Sequence, residues 1–135
     1  MFDLTGRVVV VSGASSGLGA QMARGFAEQG ADLVITARRM DKLQALAKEL
    51  EEKGHRCLPL QCDVTDSAMV DEVAKKVEAE FGKVDVLVNC AGSAKNAGVL
   101  DMTNEEWDFT IDTDMNSVFY VTRAFGNIMK KHNYG

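Results

Sequence analysis

The residues best placed to do chemistry are Ser12-Gly13-Ala14-Ser15-Ser16-Gly17-Leu18-Gly19. They follow four consecutive valines, Val8 to Val11, and open a helical pattern in which Leu18, Met22 and Phe26 recur every fourth residue. Strand, glycine-rich turn and helix, in that order, form a cradle for phosphate groups. Gly13 lets the chain leave the strand in a backbone conformation closed to most residues. Gly17 has no Cβ to hold a pyrophosphate off the backbone, and Gly19 lets the helix pack close to the sheet. Ser15 and Ser16 complete the turn. The helix N-terminus beyond them offers free N–H groups and a partial positive charge to an anion. The spacing is Gly-x-x-x-Gly-x-Gly rather than Gly-x-Gly-x-x-Gly. The alternative is an ordinary strand-to-helix turn that holds no ligand.

The elements that must position this turn follow from periodicity. Strands are expected at Arg7 to Val11, Asp32 to Thr36, Arg56 to Gln61 and Val84 to Val88. Helices are expected between them. The first runs from Leu18 to Gln29 and is closed by Gly30. The second carries Leu43, Leu46, Ala47 and Leu50 at i, i+3, i+4, i+7 and ends at Gly54. The third is capped by Asp66 or Ser67, presents Val70, Val73, Val77 and Phe81 on one face, and stops at Gly82. Alternation of strand and helix predicts an α/β fold: a doubly wound parallel sheet of the Rossmann type, ordered 3-2-1-4. Pro59 fits that order, because proline is tolerated mainly on an edge strand and the third strand is an edge. The fourth strand is nearly continuous Val and Leu, as expected of a strand covered on both faces. After it come a loop, Asn89 to Asp101, a helix capped by Thr103 and containing Trp107, and a longer helix over roughly Asp114 to Lys131.

Composition narrows the class. At 135 residues the chain is one domain, long enough to bury about two-thirds of its unfolded surface. Hydrophobic residues make up 46% and charged residues 26%, which is globular rather than disordered. A net charge of −5 argues against a nucleic-acid partner. No apolar run approaches the ~20 residues of a membrane span, so no membrane partner is expected. The chain opens directly into Asp3 and Arg7 without a signal-peptide pattern, so a cytoplasmic location is expected. Three cysteines are too few, and odd in number, for a disulfide framework. Cys57, Cys62 and Cys90 lie within or beside apolar runs and are expected to be buried, reduced thiols. His55 and His132 lie in polar stretches, lack metal-ligand spacing, and are expected to face solvent.

Several ordered stretches together resemble the short-chain dehydrogenase/reductase family, and the resemblance covers all 135 residues. Ser12 to Gly19 is similar to that family's Thr-Gly-x-x-x-Gly-x-Gly. Asp63-Val64 matches its adenine-contacting pair. Asn89-Cys90-Ala91-Gly92 resembles its Asn-Asn-Ala-Gly, with Cys90 replacing the second Asn. Trp107 and the run Val118 to Phe125 are similar to its next two helices. The resemblance implies a nicotinamide cofactor. Leu18 would touch its nicotinamide end, Asp63 and Val64 its adenine, and Ala91 and Gly92 would leave room for a ribose. Asn89, at the end of the fourth strand, is expected to tie neighbouring strands through its amide. The alternative for Asp63 is a turn residue that caps its own backbone. The family's last helix packs on the sheet and joins a helix bundle between subunits, so a homo-oligomer is implied.

The end of the second strand chooses between NAD and NADP. An acidic residue there binds the adenine ribose 2′-hydroxyl and repels a 2′-phosphate. Here the position is Ala37, followed by Arg38 and Arg39. Arg38 can grip a phosphate with its planar fork and stack on adenine. NADP is therefore expected over NAD. The alternative is a solvated arginine pair that only starts the second helix.

Two departures from the family pattern qualify this picture. The family's chemistry uses a Tyr with a Lys four residues later and a Ser upstream. No Tyr-x-x-x-Lys occurs here: Tyr120 is followed by Ala124, and Tyr134 is penultimate. Family members are about twice as long, and the resemblance places the catalytic half beyond these residues. Second, the family's active-site Asn maps to Asp114. Asn116 lies about 200° further around a helix. Asp114 reads either as part of a proton relay or as the N-cap of the last helix. The expected function is hydride transfer between NADP(H) and a ketone or secondary alcohol by the complete protein, residues 1–135 being its dinucleotide-binding part. The alternative is a catalytically inert nucleotide-binding or assembly module.

Overall fold

The β-branched runs form a single parallel sheet. The computed structural model describes residues 2–135. In chain order its elements are β1 (Val8–Ser12), α1 (Gly17–Glu28), β2 (Asp32–Ala37), α2 (Met40–Glu52), β3 (Cys57–Gln61), α3 (Ser67–Phe81), β4 (Val86–Asn89), α4 (Asn104–Ile111), a π-helical turn (Asp112–Asn116) and α5 (Ser117–His132). The strand order is β3-β2-β1-β4, as expected. In register, Val10 lies between Val34 and Leu87. Pro59 sits on the edge strand β3 opposite Ile35.

Alternating side chains of the central strands enter two cores. Val9, Val11, Leu33 and Ile35 pack under α1 and α2, with Leu43, Leu46, Ala47 and Leu50 contributed by α2. Val8, Val10 and Val34 face α3 and α5, with Val70, Val73, Val77, Val121, Phe125 and Ile128. Asp66 caps α3, its carboxylate accepting from the Ala68 and Met69 amides. Thr103 and Glu106 form a capping box at α4.

The buried stripe of α1 is Gly19, Ala20, Ala23 and Ala27, with Phe26 partly buried against the same core. Small residues let the helix lie close on the sheet, while Leu18 and Met22 are exposed. Three local expectations are corrected. Val86, Leu87 and Val88 are half-buried rather than covered on both faces, because β4 is an edge and α5 shields only part of it. The last helix does not begin afresh at Asp114. The backbone stays helical from α4 through the π turn into α5, with Asp112, Asn116 and Ser117 all in the right-handed helical region. Finally, Cys90 and His55 are half-buried, whereas Cys57 and Cys62 are fully buried.

At the end of the sheet away from the glycine turn, Asp85 is buried. Burial alone would raise its pKa. Lys83, the Val8 amide and Arg7 bond its carboxylate and hold it below the ordinary carboxylate range. This cluster ties the start of β1 to the approach of β4.

Candidate functional site

The strand ends that carry the glycine turn, Ala37 and Cys90 open into one cleft of about 520 Å³. Gly13 has φ +70°, and a Cβ there would lie 2.6 Å from the Ala91 Cα and 2.8 Å from the Cys90 carbonyl carbon. The turn and the loop after β4 are therefore in backbone contact, which no side chain at position 13 permits. A Cβ on Gly19 would collide with the Gly13 carbonyl oxygen. Gly19 thus lets α1 pack on the turn itself rather than on the sheet. Gly17 differs: φ is +57° and nothing lies within 4 Å of where its Cβ would be. Its bare backbone faces open space at the start of α1. No side chain caps that helix, and its first turn holds no acidic residue. An uncapped N-terminus beside a Cβ-free approach fits a pyrophosphate.

Around this cradle the cleft gathers Ser15, Ser16, Leu18, Arg38 and Arg39 on the β1–β2 side. Leu18 is 65% exposed despite its size. Arg39 Nη2 stands 3.5 Å from the hydroxyls of both Ser15 and Ser16, a loose contact that aims the guanidinium at the turn. Arg38 is held through its backbone, its carbonyl accepting from Gln61 Nε2 at 2.9 Å. Asp63 and buried Val64 form the floor. Asp63 Oδ1 accepts from the Thr65 hydroxyl at 2.7 Å and the Thr65 amide at 3.0 Å. These bonds, with Arg38 nearby, keep its carboxyl below the ordinary range although partial burial opposes them. Asp63 is therefore the self-capping turn residue that was the alternative, and it also lines the cleft. Burial pushes the Cys62 thiol, in the same wall, up to about 11, with Asp63 and Asp66 adding to the effect.

On the β4 side the cleft is lined by Ala91, Gly92 and Ser93. Asn89 does not tie the strands: its amide donates to Thr122 Oγ1 of α5 at 3.1 Å. Ser12 does that work. Its hydroxyl donates to the Val88 carbonyl and accepts from the Cys90 and Ala91 amides at 3.1 and 3.3 Å. Sequence reasoning passed over this role, although a buried hydroxyl as the last residue of a valine strand signals it. Phe109, Asp112 and Thr113 also line the cleft and were not foreseen. Their direction depends on the π turn, which no periodicity announces.

Asp114 is not an N-cap. It lies within the helical π turn, outside the cleft lining, and its Oδ1 accepts from the Ser93 amide at 2.8 Å. Asn116 points elsewhere, donating to Asp112 Oδ1 at 2.7 Å.

Comparison with known proteins gives a consistent picture. The family described as short chain dehydrogenase matches residues 7–135. NADP-dependent mannitol dehydrogenase of Alternaria alternata is 40% identical over an alignment that takes in all of this chain and 52% of that protein. A metagenomic short-chain oxidoreductase solved in complex with NADP superposes with TM-score 0.92 at 36% identity, covering 98% of this chain and 60% of that one. The L-sorbose reductase of Gluconobacter frateurii, solved with NADPH and L-sorbose, superposes with TM-score 0.91 at 35% identity, covering 96% of this chain and 50% of that one. The chain spans about half the length of the curated relatives it matches. Among the described residues no helix is long and apolar enough to cross a membrane.

Proposed function

The chain belongs to the short-chain dehydrogenase family, and on that premise we propose that it is the nucleotide-binding part of an NADP-dependent oxidoreductase. The observation that carries this is the uncapped start of α1, where Ser16, Leu18 and Gly19 line the same cleft as Arg38 and Arg39. The turn and the α1 N-terminus would hold the pyrophosphate, Asp63 and Val64 the adenine, and the arginines a 2′-phosphate. Ala91 and Gly92 would leave room for the nicotinamide ribose. The bound nicotinamide would supply or accept the hydride, and the complete protein's substrate would be a small ketone or secondary alcohol. A homo-oligomer is part of the same proposal.

Residues 1–135 contain no Tyr-x-x-x-Lys. A placed acid–base group is worth typically 10²- to 10⁴-fold in rate. The 135-residue chain is therefore expected to bind nucleotide without useful turnover. Titrating NADPH and NADH into it, followed by nicotinamide fluorescence, tests both points. Tighter binding of NADPH and no sustained oxidation with ketones is the expected outcome. Failure to bind either nucleotide overturns the proposal, and steady turnover by material free of contaminating enzyme overturns the division of labour.

A further inference from the structure

The turn that carries Asp63 and Val64 into the cleft is closed by a methionine. The β3 ladder ends where the Cys62 amide donates to the Ala37 carbonyl, so the Asp63 amide must find its partner elsewhere. It donates to Met69 Sδ at 3.1 Å. The rest of the turn is bonded within itself. The Thr65 amide and hydroxyl donate to Asp63 Oδ1, and the Asp66 amide donates to the Asp63 carbonyl. The Asp66 carboxylate in turn accepts from the Ala68 and Met69 amides. Met69 is 39% exposed, so a small oxidant in solution reaches it. Among the described residues it differs from exposed Met22 and Met115 in holding a backbone amide through its sulfur.

We propose that Met69 is an oxidation site, at which a peroxide loosens the turn of Asp63 and Val64 and so weakens the cleft's hold on its nucleotide. This rests on the nucleotide reading above. In the step itself the sulfur lone pair attacks one peroxide oxygen. An S–O bond forms as the O–O bond breaks. The transferred oxygen gives its proton to the departing hydroxide, which leaves as water. The thioether is oxidised by two electrons to the sulfoxide, and the peroxide is reduced by the same two. The product does not fit where the thioether sat. A hydrogen-bonded oxygen alone needs about 2.9 Å to an amide nitrogen, and the sulfur already stands 3.1 Å from it. The sulfur cannot retreat with its helix, because the Asp66 cap holds the Met69 amide. The Asp63 amide therefore shifts or loses its partner, and the floor of the cleft shifts with it.

The test treats the 135-residue chain and its Met69→Leu variant with hydrogen peroxide. Peptide mass spectrometry locates the added oxygen. Exchange at the Asp63 amide reads the turn without nucleotide, and the NADPH dissociation constant reads the cleft. Thermal midpoints separate these changes from unfolding. In the parent chain oxygen is expected at Met69, with Asp63 exchange faster and NADPH binding weaker by about tenfold each, the equivalent of one lost hydrogen bond. A methionine sulfoxide reductase should reverse both changes. In Met69→Leu, peroxide should leave the dissociation constant unchanged, whatever its starting value. That variant keeps Cys90, Met22 and Met115, so an equal loss of binding in it overturns the proposal by placing the effect at another sulfur. A Met69 left unoxidised, or oxidised with NADPH binding intact, overturns it equally. If the untreated parent chain binds neither NADPH nor NADH, the nucleotide reading falls and the effect on binding falls with it, while Asp63 exchange still decides whether oxidation loosens the turn.

Discussion

Gly13 and Gly17 carry the same signal in the sequence and meet opposite surroundings in the fold. Gly13 is pressed against the backbone of Cys90 and Ala91, whereas Gly17 faces open space. Gly13→Ala would pay about 1–2 kcal/mol for the left-handed conformation and about 1–3 kcal/mol for overpacking. Gly17→Ala would pay only the first. Thermal unfolding should show a much larger fall for Gly13→Ala, and NADPH titration should show weakened binding by a still-folded Gly17→Ala. Equal destabilisation would contradict the contact at Gly13. Arg38 offers the second test at this scale. Losing one charge-assisted contact to a 2′-phosphate costs about 1.5–3 kcal/mol, so Arg38→Ala should weaken NADPH and leave NADH nearly untouched. Equal loss for both nucleotides would mean that Arg38 does not read the phosphate. At this scale the glycines and arginines were legible because their types are unusual at those positions. Ser12 was not, since its hydroxyl acts on amides 78 and 79 residues away.

Helix α1 shows how an element can be located from sequence without its buried face being legible. Its bounds were readable within one residue, yet its buried face is made of alanines and a glycine. Apolar periodicity favours large residues, while close helix–sheet contact selects small ones. The side of α1 away from the sheet is tied to α2 by Arg24, whose Nε and Nη2 both donate to the Glu49 carboxylate, at 2.9 and 2.7 Å. These bonds outweigh the opposing desolvation and, with help from Lys53, lower the Glu49 pKa from the ordinary 4.5 to about 2. A depressed carboxyl contributes stability that is complete above its unfolded value and lost as pH falls toward its folded one. The relevant window is therefore about pH 4.5 down to 2. Carboxyl NMR at pH 4 should find Glu49 fully ionised in the parent chain and substantially protonated in Arg24→Ala. An ordinary titration of Glu49 in the parent chain would dissolve the bidentate pair. The π turn was the least legible element. It carries hydroxyl-to-carbonyl bonds from Thr113 and Ser117 and one amide that reaches back five residues, none of which leaves a hydrophobic period.

For the whole molecule, strand order was legible from alternation and from Pro59, but the consequence of having two edges emerges only from the sheet. The β3 edge is blunted: Pro59 lacks an N–H, and Gln61 is occupied with Arg38. The β4 edge has no such device. Among the described residues β4 pairs only with β1, leaving Val86-Leu87-Val88 with an unpaired row of backbone groups. Helix α5 covers one face through Val121, Phe125 and Ile128, while Phe119 on its outer side remains 58% exposed. Trp107 and Met115 are also exposed, at 56% and 64%. A flat apolar edge next to an apolar helix face favours association with another chain. The 135-residue chain is therefore expected to self-associate. Sedimentation across a concentration series should reveal a species larger than the monomer that grows with concentration. Phe119→Lys should shift that equilibrium toward monomer if the helix face dominates, and should leave it unchanged if the β4 edge does. A monomer at every concentration, with the β4 amides protected from exchange, would show that the edge is closed from within the chain.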